Sequence, residues 1–110
     1  MNAGQEGYML IVRVWAAPEA EAQLLAWLDG GHIAEVARQP GFLWARRLRI
    51  EAPDATGWRG HTTVYGISDR AAFERYEADA ELKRKFAQER APFEAQIRIE
   101  RFSGEVAARA

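Results

Sequence analysis

The sequence lacks cysteine altogether and has only two histidines among its 110 residues. Without cysteine the chain has no disulfide, no thiolate ligand for zinc and no thiol nucleophile. Two histidines, His32 and His61, do not suggest a histidine-rich metal site. No serine stands in a nucleophile elbow, and no glycine-rich loop of the phosphate-binding or dinucleotide-binding kind is present. We therefore expect no metal and no cofactor.

A surplus of positive charge is also missing. Fifteen Lys and Arg are offset by sixteen Asp and Glu, giving a net charge of −1, which argues against nucleic-acid binding through bulk electrostatics. The longest apolar run, Tyr8 to Val12, is far too short to span a membrane. The N-terminal stretch MNAGQEG lacks the basic and apolar segments of a signal peptide. We expect a cytoplasmic protein with no nucleic-acid partner and no membrane partner.

Apolar patterning and turn residues predict four strands and two helices in a single domain. Pro18 suits the first turn of a helix that follows the strand YMLIVRVW. Ser68 or Asp69 caps the second helix, and Pro92 ends or kinks it. The predicted strands cover residues 8–15, 42–50, 61–67 and 95–102.

The element order is β-α-β-β-α-β, which predicts an α+β protein with the ferredoxin-like fold and a four-stranded antiparallel sheet. Both helices then cover one sheet face, and the first strand carries apolar residues on both of its faces. The second sheet face needs a cover, so we expect a homodimer. We expect a flexible N-terminus at residues 1–7, the domain at residues 8–103 and a C-terminal tail at residues 104–110.

The RNA-recognition fold has the same element order and is an alternative. Its third strand opens with a basic residue and glycine followed by aromatics that stack on bases. Arg59 and Gly60 begin this pattern, but His61 and Thr63 stand where aromatics are needed. Together with the net charge of −1, this makes RNA binding the weaker interpretation.

The stretch Trp27…His32-Ile33…Pro40-Gly41-Phe42 resembles the W…H…PG signature of EthD-like members of the dimeric α/β-barrel superfamily. The segment HIAEV at residues 32–36 and the pair Phe73 and Tyr76 are similar to a small family of unknown function in that superfamily. The resemblance covers about residues 8–103 and implies two ferredoxin-like chains paired sheet to sheet. The superfamily includes cofactor-free monooxygenases, polyketide cyclases, lactone isomerases, haem-dependent enzymes and members without known activity.

His32 is the first candidate for chemistry, because an imidazole accepts and returns a proton near neutral pH. It follows Gly30 and Gly31, which weaken the first helix and suggest a bend that aims His32 at a cavity. Asp29 and Glu35, three residues to either side, are candidate carboxylates for orienting the ring. Alternatively, His32 only hydrogen-bonds a backbone carbonyl left free by the bend.

The strands supply the second set of candidates. Phe42, Trp44 and Arg46 share one face of the second strand by alternation, and Tyr65 lies on the next strand. An apolar wall with a few polar groups is typical of a small-molecule pocket. Alternatively, Phe42 and Trp44 are core residues and Arg46 forms an ion pair at the sheet edge or dimer interface. We expect His61 to be exposed.

These patterns favour a protein that binds a hydrophobic small molecule, as a cofactor-free enzyme of EthD-like, monooxygenase, cyclase or isomerase type. His32 would then be the acid/base, and Phe42, Trp44, Arg46 and Tyr65 would contact the substrate. One alternative is a non-catalytic homodimeric binding or accessory module of unknown function. Another is a structural homodimer with a filled interior.

Overall fold

A computed structural model of the chain describes residues 5–110. The four strands are β1 (Tyr8–Ala16), β2 (Phe42–Arg49), β3 (Arg59–Ile67) and β4 (Ile97–Glu105). The four α-helices are α1 (Pro18–Trp27), α2 (Ile33–Ala37), α3 (Arg70–Glu77) and α4 (Ala80–Arg90). A π-turn at Leu28–His32 joins α1 to α2, and a 3-10 segment at Ala91–Gln96 leads into β4.

The strands form one antiparallel sheet in the order β2-β3-β1-β4. Tyr8 in β1 is paired with Ile67 on one side and with Glu105 on the other. This arrangement confirms the predicted α+β class and ferredoxin-like topology. The central strands β1 and β3 are therefore the floor on which a site between sheet and helices is built.

The helices lie on one face of the sheet. Leu10 and Tyr65 of the sheet pack with Val36 of α2 and Phe86 of α4 in one buried cluster. A second cluster joins the end of β1 to α1 and the 3-10 segment, with Leu24 and Phe93 among its buried members. These clusters hold α1, α2 and α4 over the middle of the sheet.

The second predicted helix is two helices, because a second cap interrupts it. Of the two predicted caps, Ser68 and Asp69, it is the Asp69 carboxylate that accepts the backbone N–H of Ala72 and begins α3. The Asp79 carboxylate accepts the N–H of Leu82 and begins α4. A side chain that caps a helix start competes with continuation of the preceding helix.

The two ends of the described chain lie side by side. The Gly7 N–H donates to the Ile67 carbonyl at 2.9 Å, and the Val106 N–H donates to the Gly7 carbonyl at 2.9 Å. β4 continues to Glu105, beyond the strand end predicted at residue 102. Residues 1–4 of the predicted flexible N-terminus lie outside the described residues.

The sheet face away from the helices carries large apolar side chains. Register places Ile11, Trp15, Trp44, Leu48 and Phe102 on this face. Leu48 is 53% exposed and Phe102 is 52% exposed. Within residues 5–110, no helix combines the length and the hydropathy needed to cross a membrane.

Candidate functional site

The glycine pair lies in the π-turn between α1 and α2. Gly31 has φ 154° and ψ −25°, a backbone conformation that residues with a Cβ rarely adopt. The Ile33 N–H donates to the Leu28 carbonyl, five residues back, instead of four as in an α-helix. The predicted bend is therefore a local widening of one turn, and it is centred on Gly31.

This wider turn brings the rings of Trp27 and His32 together. In a regular α-helix, residues five apart point about 140° away from one another. Here the two rings are stacked, with centroids 3.9 Å apart and planes 20° apart. The ring of Phe86 meets the imidazole edge-on, with centroids 4.4 Å apart. His32 is thus held between an aromatic of α1 and an aromatic of α4.

The imidazole of His32 is poorly supplied with polar partners. Its Nδ1 atom is buried and has no hydrogen bond to any residue from 5 to 110. Burial is the main cause that lowers the pKa of His32 to about 4, and it outweighs the opposing charge of Glu89. The ring is therefore neutral at neutral pH.

The two carboxylates predicted to orient His32 are bound to other side chains. Asp29 pairs with Arg47 through two contacts, of 2.6 and 2.9 Å. Glu35 accepts from Lys85 at 2.5 Å. Glu89, which the sequence analysis did not single out, accepts from the Trp27 indole N–H at 2.9 Å and so fixes the ring stacked on His32.

A cavity of about 270 Å³ lies between the helices and the sheet, with His32 on its wall. Tyr65 of β3, a candidate substrate contact by its strand position, lines the same cavity. Burial raises the pKa of Tyr65 well above its usual value, so its phenol keeps its proton and can donate a hydrogen bond. Other lining residues are Val12, Val14, Trp27, Leu28, Val36, Thr63, Tyr76, Lys83, Phe86, Arg90, Ile99 and Arg101.

The face predicted to be shared by Phe42, Trp44 and Arg46 is correct for Trp44 and Arg46 but wrong for Phe42, because β2 contains a bulge. Phe42 pairs with Ile67, whereas Trp44 pairs with the next residue, Gly66. This shift places Phe42 and Trp44 on opposite faces of the sheet. None of the three lines the cavity beside His32.

Each of these three β2 residues has a different environment. Phe42 is buried among the rings of Tyr65 and Tyr76, with centroids 6.1 and 5.1 Å away. The Trp44 indole covers Gly66 on the helix-free face and donates to Glu6 at 3.0 Å. Arg46 lies over the Trp44 ring, 5.7 Å from its centroid.

The expectation that His61 is exposed is also wrong, since the residue is only 1% exposed. Arg47 donates to Nδ1 of His61 at 3.0 Å, so the ring proton lies on Nε2 and is donated to Glu21 at 2.8 Å. Because Arg47 also binds Asp29, these four residues tie α1 and the π-turn to the sheet. His61 therefore belongs to a structural network of hydrogen bonds and lies outside the cavity.

Cationic lining residues were missed by the sequence analysis. The run at residues 83–85 reads as a solvated helix face, but Lys83 lines the cavity and lies 4.4 Å from the centroid of the Tyr76 ring. Arg90 at the end of α4 and Arg101 of β4 line it as well. Lys83 and Arg90 lie two turns apart on one face of α4, and only the fold brings Arg101 of β4 to them.

The described residues contain no group of three or more His, Cys, Asp or Glu side chains that could hold a metal ion. What the cavity offers instead is a neutral imidazole, two phenols and three cations set in an apolar wall. Such a set can bind an organic molecule, accept a proton and donate hydrogen bonds to oxygen.

No family model matches the chain, and no curated protein matches it. Solved structures do. A dimeric ferredoxin-like protein from an uncultured marine organism has a TM-score of 0.72 and 11% identity, covering 99% of this chain and 95% of that one. A mutant of SnoaB, a cofactor-independent oxygenase from Streptomyces nogalater, has a TM-score of 0.66 and 20% identity, covering 94% and 96%.

An ethyl tert-butyl ether d (ethd) family protein from Bacillus halodurans has a TM-score of 0.58 and 12% identity, covering 86% of this chain and 96% of that one. At these identities the likeness concerns the fold. It agrees with the strand order and confirms the predicted ferredoxin-like fold. The chain has the ferredoxin-like fold, in the form shared with dimeric ferredoxin-like and EthD-family structures.

Proposed function

We propose that this protein binds a small apolar molecule in the cavity beside His32 and uses His32 as an acid/base on it. The observation that carries the proposal is the position of His32, a half-buried histidine whose Nδ1 has no partner within residues 5–110, on the wall of a 270 Å³ cavity. A histidine on a cavity wall whose pKa is shifted by burial is a typical candidate for proton transfer. Tyr65 would donate a hydrogen bond to a ligand oxygen.

The neutral imidazole is the form that accepts a proton. Burial disfavours the imidazolium that results, which makes His32 a weak base in the empty cavity. Removal of a proton from a neutral ligand leaves an anion next to the imidazolium. That ion pair, formed away from water, offsets the desolvation and raises the effective basicity of His32. Proton transfer is therefore expected only when ligand charge develops beside the ring.

A non-catalytic binding module is the second candidate, and a specific observation favours it. Nδ1 of His32 has no orienting hydrogen bond among the described residues, and the nearby carboxylates of Asp29 and Glu35 are bound to Arg47 and Lys85. Catalytic histidines are commonly oriented by a third group. On this alternative the same cavity holds a ligand without turnover.

The proposal includes a homodimer, in which the helix-free sheet faces of two copies cover each other. Leu48 and Phe102 on that face are more than half exposed in the single chain. Exposed apolar patches of this kind mark interaction surfaces. Two of the similar structures are described as dimeric ferredoxin-like proteins. Trp44 and Arg46 then belong to the dimer face.

The apolar enolisable ketone 2-tetralone is a suitable probe of this function. Wild-type protein is expected to bind it and to accelerate exchange of its α-hydrogens with D2O, followed by proton NMR. His32→Gln should abolish the acceleration and retain binding. Arg84→Gln, an exposed change on α4 outside the cavity, serves as the control. Binding without accelerated exchange would establish the non-catalytic module, and failure to bind would contradict the cavity as a ligand site.

A further inference from the structure

The charged side chains that line the cavity all have one sign. Of its fourteen lining residues, Lys83, Arg90 and Arg101 are basic and none is acidic. His32 adds no charge at neutral pH, since burial lowers its pKa to about 4. A cavity that takes a neutral apolar molecule does not need three cations in its wall.

These cations are incompletely neutralised by the protein. Lys83 and Arg101 share a single carboxylate, Glu77, at 2.7 and 2.5 Å. Arg90 is the least satisfied: its Nε is buried without a hydrogen bond in residues 5–110, and Glu94 lies 4.0 Å away. A buried polar group without a partner is uncommon and requires an explanation.

Most of the other lining side chains are apolar. Trp27, Phe86 and Ile99 contribute apolar surface, and the volume of about 270 Å³ lies just below the usual range for drug-sized ligands. This size favours a ligand of one or two fused rings. The shape and the charge together describe a compact molecule with an apolar body and an anionic group.

We propose that the cavity selects a compact carboxylate with an apolar ring system, which packs against Phe86 and Ile99, while its anionic group binds Arg90 and Arg101. This inference rests on the proposed function, because it specifies the ligand of that same cavity. Arginine suits the role, since its planar guanidinium binds a carboxylate through paired hydrogen bonds. Arg90 ends α4 and Arg101 lies on β4, so two elements contribute the anion contacts.

The structure also offers an interpretation without an anionic ligand. Arg101 could serve only to join β4 to α3 through Glu77, and Arg90 only to join α4 to the 3-10 segment through Glu94. On that interpretation the cavity would not distinguish a carboxylate from a neutral molecule of the same shape. The two interpretations therefore differ in one measurable quantity, which is how much more tightly the cavity binds an anion than a neutral molecule of the same size.

The test compares 2-naphthoate with 2-naphthamide, which have the same ring system and nearly the same size. Binding to the full-length protein is measured by isothermal calorimetry at pH 7.5 and low salt. The wild type should bind the carboxylate at least about tenfold more tightly than the amide, with the difference shrinking as salt is added. Arg90→Gln should reduce the preference to within about twofold, whereas Arg84→Gln on the same helix should retain it.

The wild-type comparison does not depend on any variant folding correctly. Equal binding of the two naphthalenes by the wild type would overturn the anion preference and leave the proposed ligand cavity intact. Loss of the preference in Arg84→Gln as well as in Arg90→Gln would assign it to general surface charge and overturn it too. Failure of both probes and of 2-tetralone to bind would overturn this inference together with the proposed function.

Discussion

The imidazole of His32 is stacked on the indole of Trp27, with centroids 3.9 Å apart, although the two residues are five positions apart in the chain. An α-helix cannot bring residues at this spacing together, and the contact exists because the intervening turn is a π-turn. The same contact places His32 on the cavity wall. The glycine pair, which weakens the helix locally, therefore determines the position of the His32 imidazole on the cavity wall.

The π-turn predicts different effects for the two neighbouring glycines. An added Cβ meets no atom within 4 Å at either position, so steric contact cannot distinguish them. Gly31 alone has a positive φ, and Gly31→Ala should destabilise the fold by about 1–3 kcal/mol. Gly30→Ala should stabilise it by up to about 1 kcal/mol. Urea unfolding of both variants measures the difference, and equal effects would contradict the role assigned to Gly31.

The lowered pKa of His32 predicts acid destabilisation. The unfolded chain binds a proton on this histidine near pH 6.5, whereas the folded chain does so only near pH 4. The neutral ring therefore stabilises the fold fully above pH 6.5. This stabilisation, which is about 3 kcal/mol at most, is lost as the pH falls towards 4. The free energies of unfolding of the wild type and His32→Gln are compared from pH 4 to pH 7. Their difference isolates this contribution, because the other titratable groups contribute equally to both proteins. Parallel curves would show that the ring is not desolvated.

The network that holds the π-turn predicts a cost for removing Arg47. Arg47→Met leaves Nδ1 of His61 buried without its donor and leaves Asp29 unpaired. We expect a loss of about 2–3 kcal/mol, the range for a buried polar group left unsatisfied. Arg49→Met, an exposed change two residues along β2, should cost much less. Thermal or urea unfolding measures the stability that each of the two variants loses. Similar losses would show that the network does not contribute to the stability of the fold.

The uncovered sheet face predicts the effect of a charge on assembly. Sedimentation velocity of the wild type should show a dimer at micromolar concentration. Leu48→Glu and Phe102→Glu should shift the protein to monomer, because each places a charge in the apolar interface. Ala87→Glu, on the exposed side of α4, should leave the dimer unchanged. A monomeric wild type at that concentration would contradict the dimer.

The strand order and the cap at Asp69 could be predicted because both depend on local pattern: apolar alternation and a side chain that accepts a helix N–H. The glycine pair signalled a break in the helix, but the pattern does not distinguish a kink from a widened turn. The bulge between Phe42 and Trp44 depends on pairing with β3, which alternation along β2 alone does not contain.

The polar part of the site was harder to predict for a related reason. Lys83 and Arg101 are eighteen residues apart, and only the packing of α4 beside β4 brings both to one cavity. His61 was expected in solvent because it stands near the start of a strand. Its burial depends on Glu21 and Arg47, which come from other elements and satisfy both ring nitrogens.

The central claim is that the cavity beside His32 is the ligand site, and nuclear Overhauser effects from a bound ligand test it most directly. With 2-tetralone or 2-naphthoate bound, ligand protons should show contacts to ring protons of His32, Tyr65 and Phe86, which line the cavity. Contacts only to Trp44 and Phe102 would place the ligand on the helix-free face and contradict the claim. The account predicts the first set of contacts and none of the second.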